Sequence, residues 1–210
     1  MTALHMAVAL GSALGMARLF FGLGIEGDLG DRIVRRTRVA LEDCGEVALY
    51  AASDLHLTLV FLGDVEEGLV RDILRSAGSE FRGLAAPELR VGGTSGAFPD
   101  GERPRALWEG VEETFESMGR LAALRNRALQ VAYSHGLRPR RADRERPFRP
   151  HVTVARPGRD AAAPADFFDE RDAGRWLPVD VTLFESLGAG SVDGSRYRVL
   201  GAWPLIVRPG

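Results

Sequence analysis

The sequence predicts an α+β domain that is built mainly from antiparallel strands. Strand and helix patterns are mixed along the 210 residues without the strict strand–helix–strand alternation that a parallel sheet requires. A short motif also recurs, as LHLTLVFLG at Leu55–Gly63 and as HVTVAR at His151–Arg156. The repeat indicates two related, pseudo-symmetric halves, each of which supplies one equivalent strand to a shared cleft.

In the first half of the chain, strand and helix patterns follow one another closely. Apolar, β-rich runs indicate strands, and apolar residues spaced three and four apart indicate helices with one buried face. We expect strands at Arg18–Ile25 and Leu55–Leu62, a short apolar run at Val47–Ala51, and helices at Asp28–Asp43 and Glu66–Phe81.

The second half contains the longest helical pattern, Glu112–Ser134. Candidate strands at Glu88–Gly92 and Ala106–Val111 flank a loop rich in glycine and proline, Gly92–Pro104. After the Arg/Pro-rich stretch Arg138–Pro150, strands are expected at His151–Ala155, Pro178–Leu187, Ser195–Leu200 and Ala202–Val207. Trp176 lies in a polar stretch, where it is a candidate for stacking on a base.

Composition excludes several classes of function. The formal net charge is −2, whereas a binder of long duplexes carries a basic excess, so a nucleic-acid substrate would be short or bound at one end. All 27 basic residues are Arg, which excludes lysine chemistry. Cys44 is the only cysteine, so neither an intrachain disulfide nor a cysteine-based metal centre is expected, as suits the cytoplasm.

The domain is expected to span residues 16–210 as one bilobal unit. Residues 1–15 are small and apolar, and they lack the basic start of a signal peptide. We interpret them as a disordered or artefactual extension. No apolar run reaches the ~18–20 residues of a membrane span, so no membrane partner is expected.

The repeated motif carries chemistry because alternate residues of a strand point to the same face. His56 therefore projects with Thr58, and His151 with Thr153. With an ordinary pKa of ~6.5, one imidazole can take a proton from water while the other gives one to a leaving oxygen. The hydroxyls can donate hydrogen bonds to phosphate oxygens.

Two other interpretations compete with this one. A lone histidine on a strand is more often structural, but two matching His-x-Thr strands favour catalysis of phosphoester chemistry. Two histidines could also bind zinc, yet a catalytic zinc site takes three protein ligands, and neither motif contains an acidic residue. We therefore expect neither a metal nor another cofactor.

Several longer stretches extend the motif over Arg18 to Val207: RLFFGL, DLHLTLVFLGDV, GAFPDGERPRALWEGVE, RPFRPHVTVAR and LFESLGAGSVDGSRYRVLGAWPL. In these the sequence resembles the RNA 2′,3′-cyclic phosphodiesterases, or 2′-5′ RNA ligases, of the two-histidine phosphoesterase superfamily. The resemblance implies two lobes with a cleft between them, and helices on their outer faces. It also implies an enzyme that opens an RNA-terminal ribonucleoside 2′,3′-cyclic phosphate to a 2′-phosphate.

The resemblance further implies roles for individual residues. His56 would donate a proton to the departing 3′-oxygen, and His151 would activate water. Thr58 and Thr153 would hold the phosphate, and Arg156 would contact phosphate or substrate. Phe61 either touches a base or ribose or packs in the core.

The sequence leaves three other functions open: ATP-independent 2′-5′ ligation of RNA at the same site, a cyclic phosphodiesterase for small nucleotides, and a non-catalytic binder of RNA ends. The expected partners are RNA ends or short oligoribonucleotides with a 2′,3′-cyclic phosphate. We expect a cytoplasmic monomer.

Overall fold

The computed structural model describes residues 15–99, 104–139, 147–159, 161, 172–188 and 194–207. Within these ranges the helices are α1 (Asp28–Ala40), α2 (Glu67–Glu80) and α3 (Arg120–Ser134). The strands are β1 (Met16–Gly24), β2 (Val47–Leu49), β3 (His56–Glu66), β4 (Leu89–Phe98), β5 (Ala106–Glu113), β6 (His151–Pro157), β7 (Asp172–Trp176), β8 (Asp180–Ser186) and β9 (Tyr197–Pro204).

All of these strands join one sheet, in the order β7-β4-β5-β6-β3-β1-β8-β9, with β2 also paired to β6. Neighbouring strands are antiparallel. Apart from β2, the sheet divides into two four-stranded halves, each with a His-x-Thr strand at its inner edge. These inner strands, β3 and β6, meet where Leu57 pairs with Val152. The predicted α+β fold with two related antiparallel halves is therefore confirmed.

The inner strands are fixed by side chains that alternate between the core and the opposite face. Leu57 and Leu59 of β3 are buried, as are Val152 and Val154 of β6. Removing apolar surface from water stabilises the fold by roughly 25 cal/mol per Å². A slip of one residue would expose these side chains and bury the histidine face instead. Burial thus sets the register of both motifs.

The helices cover the sheet separately in its two halves. Helix α1 packs against β6 and β7 through its apolar face, which includes Leu29 and Ile33. Helices α2 and α3 pack against each other and against β3. This arrangement leaves the face that carries the histidines free of helices among the described elements.

The predicted start of the longest helix was wrong. Strand β5 continues to Glu113, and α3 begins only at Arg120. The Glu113 carboxylate accepts hydrogen bonds from the backbone N–H groups of Gly119, Arg120 and Leu121, at 3.0, 2.8 and 3.1 Å. An acidic group at a helix N-terminus satisfies these otherwise unpaired donors, so a residue outside the helix determines where it begins.

The predicted loop Gly92–Pro104 was also wrong over its first part, because β4 continues to Phe98. The strand contains an irregular stretch between Val91 and Ser95, where Gly92 and Gly93 adopt φ of 115° and 75°. Glycine tolerates these angles, so here it marks a β-bulge within a strand.

Two further strand assignments differ from the prediction. Trp176 belongs to β7, pairs with Leu89 and is 6% exposed, so it is a core residue and not a stacking platform. At the C-terminus the two expected strands are one, β9, which runs through Gly201. A Cβ atom at Gly201 would lie 2.7 Å from Leu74 of α2, so this glycine permits close packing of helix and strand.

Among the helices that the structure describes, none combines the length and apolar character that a membrane crossing requires. The extension predicted for residues 1–15 lies outside the described residues, except for Gly15. Part of the Arg/Pro-rich stretch Arg138–Pro150 also lies outside them.

Candidate active site

The two His-x-Thr motifs lie side by side on the inner strands of the sheet. His56 begins β3 and His151 begins β6, and the antiparallel register pairs Leu57 with Val152. Continuing this register by one residue in each direction puts His56 level with Thr153 and Thr58 level with His151. The two imidazoles and two hydroxyls therefore alternate across one face of the sheet.

Both imidazoles are held by the same local hydrogen bond. Nδ1 of His56 lies 2.8 Å from the carbonyl oxygen of Asp54, and Nδ1 of His151 lies 2.7 Å from the carbonyl oxygen of Arg149. A carbonyl oxygen only accepts, so Nδ1 of each ring carries the proton. Nε2 is therefore the atom of each ring that can exchange a proton with a ligand.

An aromatic cage surrounds the ring of His56. Ring centroids lie 4.8 Å away at Phe20, 5.5 Å at Phe184 and 4.7 Å at Tyr197, which meets the imidazole edge-on. Only 9% of the residue is exposed. Burial lowers the pKa of His56 to about 4, against the opposing effect of the Asp54 hydrogen bond, and a charge on His151 lowers it further.

The ring of His151 is more open. Its neighbours are Phe98, with centroids 5.1 Å apart, and Trp108, at 6.0 Å. Burial lowers its pKa too, partly opposed by the hydrogen bond to the Arg149 carbonyl, and the Arg149 charge acts in the same direction as burial. Both rings are therefore neutral near pH 7 in the free protein, and a bound anion would favour protonation of either.

The two threonines are half-buried on the same face as the histidines. Thr58 is level with Gly22 of β1, and Thr153 is level with Trp108 of β5. Since Gly22 has no side chain, nothing from β1 stands beside the Thr58 hydroxyl at that position. The hydroxyls thus flank the space between the two imidazoles.

Asp54 joins the His56 ring to the start of β9. Its carbonyl accepts the His56 bond, while its buried carboxylate accepts hydrogen bonds from Ser195 Oγ at 3.1 Å and from the backbone N–H of Arg196 at 3.2 Å. Tyr197, the next residue along, packs against the imidazole. One residue, through its carbonyl and its carboxylate, therefore ties the segment before β9 to the first histidine.

Two arginines meet tyrosine rings beside this segment. Arg156 Nε donates to the Tyr50 hydroxyl at 2.9 Å, and the Arg196 guanidinium carbon lies 4.7 Å from the Tyr50 ring centroid. Tyr50 in turn stacks with Tyr197, with centroids 6.5 Å apart. Burial raises the pKa of Tyr197, so its hydroxyl stays protonated. The cluster therefore links two positive charges, through Tyr50, to the Tyr197 ring that packs against His56.

Comparison with known sequences decides the family. A sequence model described as the 2′-5′ RNA ligase superfamily matches residues 30–187. The chain belongs to the 2′-5′ RNA ligase superfamily.

Curated relatives in this superfamily carry a common name. The RNA 2′,3′-cyclic phosphodiesterase of Methanothermobacter thermautotrophicus is 32% identical over 142 residues, which cover 66% of this chain and 70% of the relative. That of Aeropyrum pernix is 30% identical, with coverage of 70% and 71%. That of Geobacillus stearothermophilus is 30% identical over 74% of this chain, but only 47% of the relative is covered.

Solved structures of similar fold cover nearly the whole chain. The Thermus thermophilus protein TT0787 aligns with a TM-score of 0.69 and 25% identity over 90% of this chain and 97% of its own. Apo LigT of E. coli aligns with a TM-score of 0.65 and 24% identity over 91% and 98%. This 2′-5′ RNA ligase superfamily member therefore shares its curled antiparallel sheet with both solved structures.

For this superfamily member, the structure brings the predicted site residues to one face. His56, Thr58, His151 and Thr153 face the space between the inner strands. Arg156 is joined to these four residues indirectly: its Nε donates to the buried Tyr50 hydroxyl, and Tyr50 stacks with Tyr197 beside His56.

Phe61 lies near the same site. It is 37% exposed and its ring centroid is 5.6 Å from that of Phe20, which also contacts His56. An irregularity in the β1–β3 register between Leu19 and Phe20 brings Phe61 level with Phe20. Because about a third of Phe61 is exposed, its contact with a base or ribose remains a prediction.

Sequence reasoning missed the groups that hold the imidazoles. The two anchoring carbonyls belong to the backbone, so no residue type could reveal them. Phe20, Phe184, Tyr197 and Trp108 come from different strands, and only the pairing of those strands brings them together. Within the described ranges, the His, Cys, Asp and Glu side chains form no group of three that could hold a metal ion.

Proposed function

We propose that this protein hydrolyses RNA-terminal ribonucleoside 2′,3′-cyclic phosphates to 2′-phosphates by acid–base catalysis with His56 and His151, without a metal. The observation that carries the proposal is the matched pair of imidazoles on adjacent strands, each with Nδ1 bound to a carbonyl oxygen. The names of the curated relatives support the substrate.

The exposure of the two rings supports the assignment of their roles. Water must reach the base, and His151 is the more open ring, whereas His56 is buried in its cage. His151 Nε2 takes a proton from water as the water oxygen attacks phosphorus. The bond from phosphorus to the 3′-oxygen breaks, and His56 Nε2 gives its proton to that oxygen. The products are a 2′-phosphate and a 3′-hydroxyl.

His56 must be protonated before it can act as the acid. Burial opposes this in the free protein, since its pKa is about 4. A phosphodiester anion between the rings would compensate the charge of an imidazolium. The Thr58 and Thr153 hydroxyls would donate to the non-bridging oxygens, where negative charge grows in the transition state.

Product analysis tests the proposal directly. An oligoribonucleotide with a terminal 2′,3′-cyclic phosphate is incubated with the protein in excess EDTA, and the end group is identified by ³¹P NMR. We expect a 2′-phosphate at a rate unchanged by EDTA. A 3′-phosphate, or loss of turnover that added metal restores, would contradict the proposed reaction.

The description of the superfamily favours one further candidate, 2′-5′ ligation. A 5′-hydroxyl would take the place of water, with the same bond to the 3′-oxygen broken and the same proton transfers. The assay mixes one RNA that ends in a 2′,3′-cyclic phosphate with another that begins with a 5′-hydroxyl. A joined product that resists nucleases specific for 3′-5′ linkages would establish ligation, and its absence would leave hydrolysis alone.

A further inference from the structure

The cluster of Tyr50, Arg156 and Arg196 contains positive charge that the proposed reaction does not need for proton transfer. Arg156 donates a hydrogen bond to the Tyr50 hydroxyl, and the Arg196 guanidinium lies over the Tyr50 ring. Other arginines of the described chain, such as Arg90 and Arg198, are paired with carboxylates. The two guanidiniums of this cluster have no carboxylate within ion-pair distance among the described residues.

Arg196 is positioned by two buried residues, Asp54 and Tyr50. Its backbone N–H donates to the buried Asp54 carboxylate, and its guanidinium lies over the ring of Tyr50, which is 2% exposed. Because Tyr50 is covered, a ligand meets the guanidinium and not the phenol ring. Asp54 is 4% exposed, so its carboxylate makes no direct contact with a ligand.

Two aromatic rings connect this cluster to His56. The Arg196 guanidinium lies over Tyr50, the Tyr50 ring stacks with Tyr197 at 6.5 Å, and the Tyr197 ring lies 4.7 Å from the His56 ring. The guanidinium is thus separated from the imidazole by the two tyrosines. A planar guanidinium presents several N–H donors that match phosphate oxygens. A second phosphate in an RNA chain, next to the one that reacts, has the matching chemistry.

We propose that Arg196, supported by Tyr50 and Asp54, forms a subsite for the backbone phosphodiester next to the terminal cyclic phosphate of an RNA. The proposal rests on the proposed function and names its substrate class: oligonucleotide ends in preference to mononucleotides. A mononucleoside 2′,3′-cyclic phosphate lacks this second phosphate and leaves the subsite unused.

The test compares a trinucleotide that ends in a 2′,3′-cyclic phosphate with the matching mononucleotide. For Arg196→Gln, we expect kcat/KM on the trinucleotide to fall about tenfold, mainly through KM, with the mononucleotide nearly unchanged. The plot of log kcat/KM against log salt for the trinucleotide should become shallower by about 0.7. The matched control is Arg75→Gln, which removes the same charge from an exposed position on α2.

The outcomes separate this subsite from the proposed reaction. Equal losses on both substrates, or no preference of the wild-type protein for the trinucleotide, would overturn the subsite. Binding is measured in parallel by fluorescence anisotropy with a labelled trinucleotide bearing a 2′-phosphate. If neither cyclic phosphate is hydrolysed but this probe binds about tenfold more weakly to Arg196→Gln, the reaction is wrong and the subsite stands. If binding is also unchanged, both are wrong.

Discussion

Leu57 of β3 lies opposite Val152 of β6, and this pair is where the two halves of the sheet meet. Both side chains are completely buried. Because side chains alternate along a strand, the residues on either side of each must face the opposite way. The contact that closes the core between the halves therefore also sets the two His-x-Thr motifs beside each other.

Replacement of either ring should remove most of the activity without unfolding the protein. For His56→Ala and for His151→Ala we expect kcat to fall by ~10²–10⁴, since general acid–base catalysis contributes that much. The control is His135→Ala, which removes an imidazole bonded to Ser76 Oγ at 2.7 Å, outside the site. Near-normal kcat in either of the first two variants, with circular dichroism unchanged, would refute the roles assigned.

The pH optimum of kcat/KM should lie on the acid side. The reaction needs one protonated and one neutral imidazole, and burial lowers both pKa values in the free protein, that of His56 from 6.5 to about 4. Since kcat/KM reports the free protein, we expect a bell-shaped profile with its maximum below pH 6.5. A maximum above pH 7 would be incompatible with the cage acting on these rings.

Opening the cage provides a variant to test the same profile. Phe184→Ala removes a ring whose centroid lies 5.5 Å from that of His56, so it should hydrate the imidazole and move the maximum toward pH 6.5. Phe115→Ala is the matched control, because Phe115 is 86% exposed. The same shift in both variants would show that hydration of His56 is not the cause.

Acid should destabilise the fold through His56. The unfolded chain binds a proton near pH 6.5, but the folded chain binds it only near pH 4, so the free energy of unfolding falls as pH decreases between these values. The loss from this residue amounts to roughly 3 kcal/mol across the window. Urea unfolding at several pH values should show a shallower dependence for His56→Gln than for the wild type. Parallel curves for the two proteins would contradict the lowered pKa.

Asp54 should act as a positioning residue. Asp54→Ala removes the acceptor of the Arg196 N–H and one of the acceptors of Ser195 Oγ, which keeps the Tyr197 carbonyl, and we expect a loss of about 1–3 kcal/mol of stability. The backbone carbonyl that holds His56 remains, so KM for an oligonucleotide should rise more than kcat falls. Asp54→Asn keeps one acceptor and should restore most of KM. A loss confined to kcat, with no rescue by Asn, would show a different role.

Gly96 should tolerate no side chain. A Cβ atom there would lie 2.3 Å from the Trp108 ring, which packs against His151, so Gly96→Ala must displace the indole. We expect a loss of about 1–3 kcal/mol of stability, as in other overpacked cores, with reduced kcat. Gly68→Ala on α2 is the control, because its Cβ meets nothing within 4 Å and helix propensity favours alanine. Thermal unfolding that ranks both variants alike would refute the clash.

Local patterns predicted those features that depend on neighbouring residues in the chain. Periodicity within a few residues is enough to predict that His56 and Thr58 share one face of β3. It also predicts the apolar opposite faces of β3 and β6 and the extent of α2. The start of α3 could not be predicted in this way, because the carboxylate that binds its first N–H groups belongs to Glu113, outside the helix. Strand β4 was predicted as a loop because it is rich in glycine, but these glycines form a bulge and leave room for the Trp108 ring. Trp176 looked exposed because its strand partner, Leu89, is far away in sequence.

By itself, the sequence determined the antiparallel α+β class and which imidazoles and hydroxyls share a face, because strand alternation is a local property. Only the tertiary structure decided how those groups behave. It placed the cage of Phe20, Phe184 and Tyr197 around one ring and left the other more open, and it brought Arg196 over Tyr50. Burial and charge depend on every strand that packs around a group, and those strands come from distant parts of the chain.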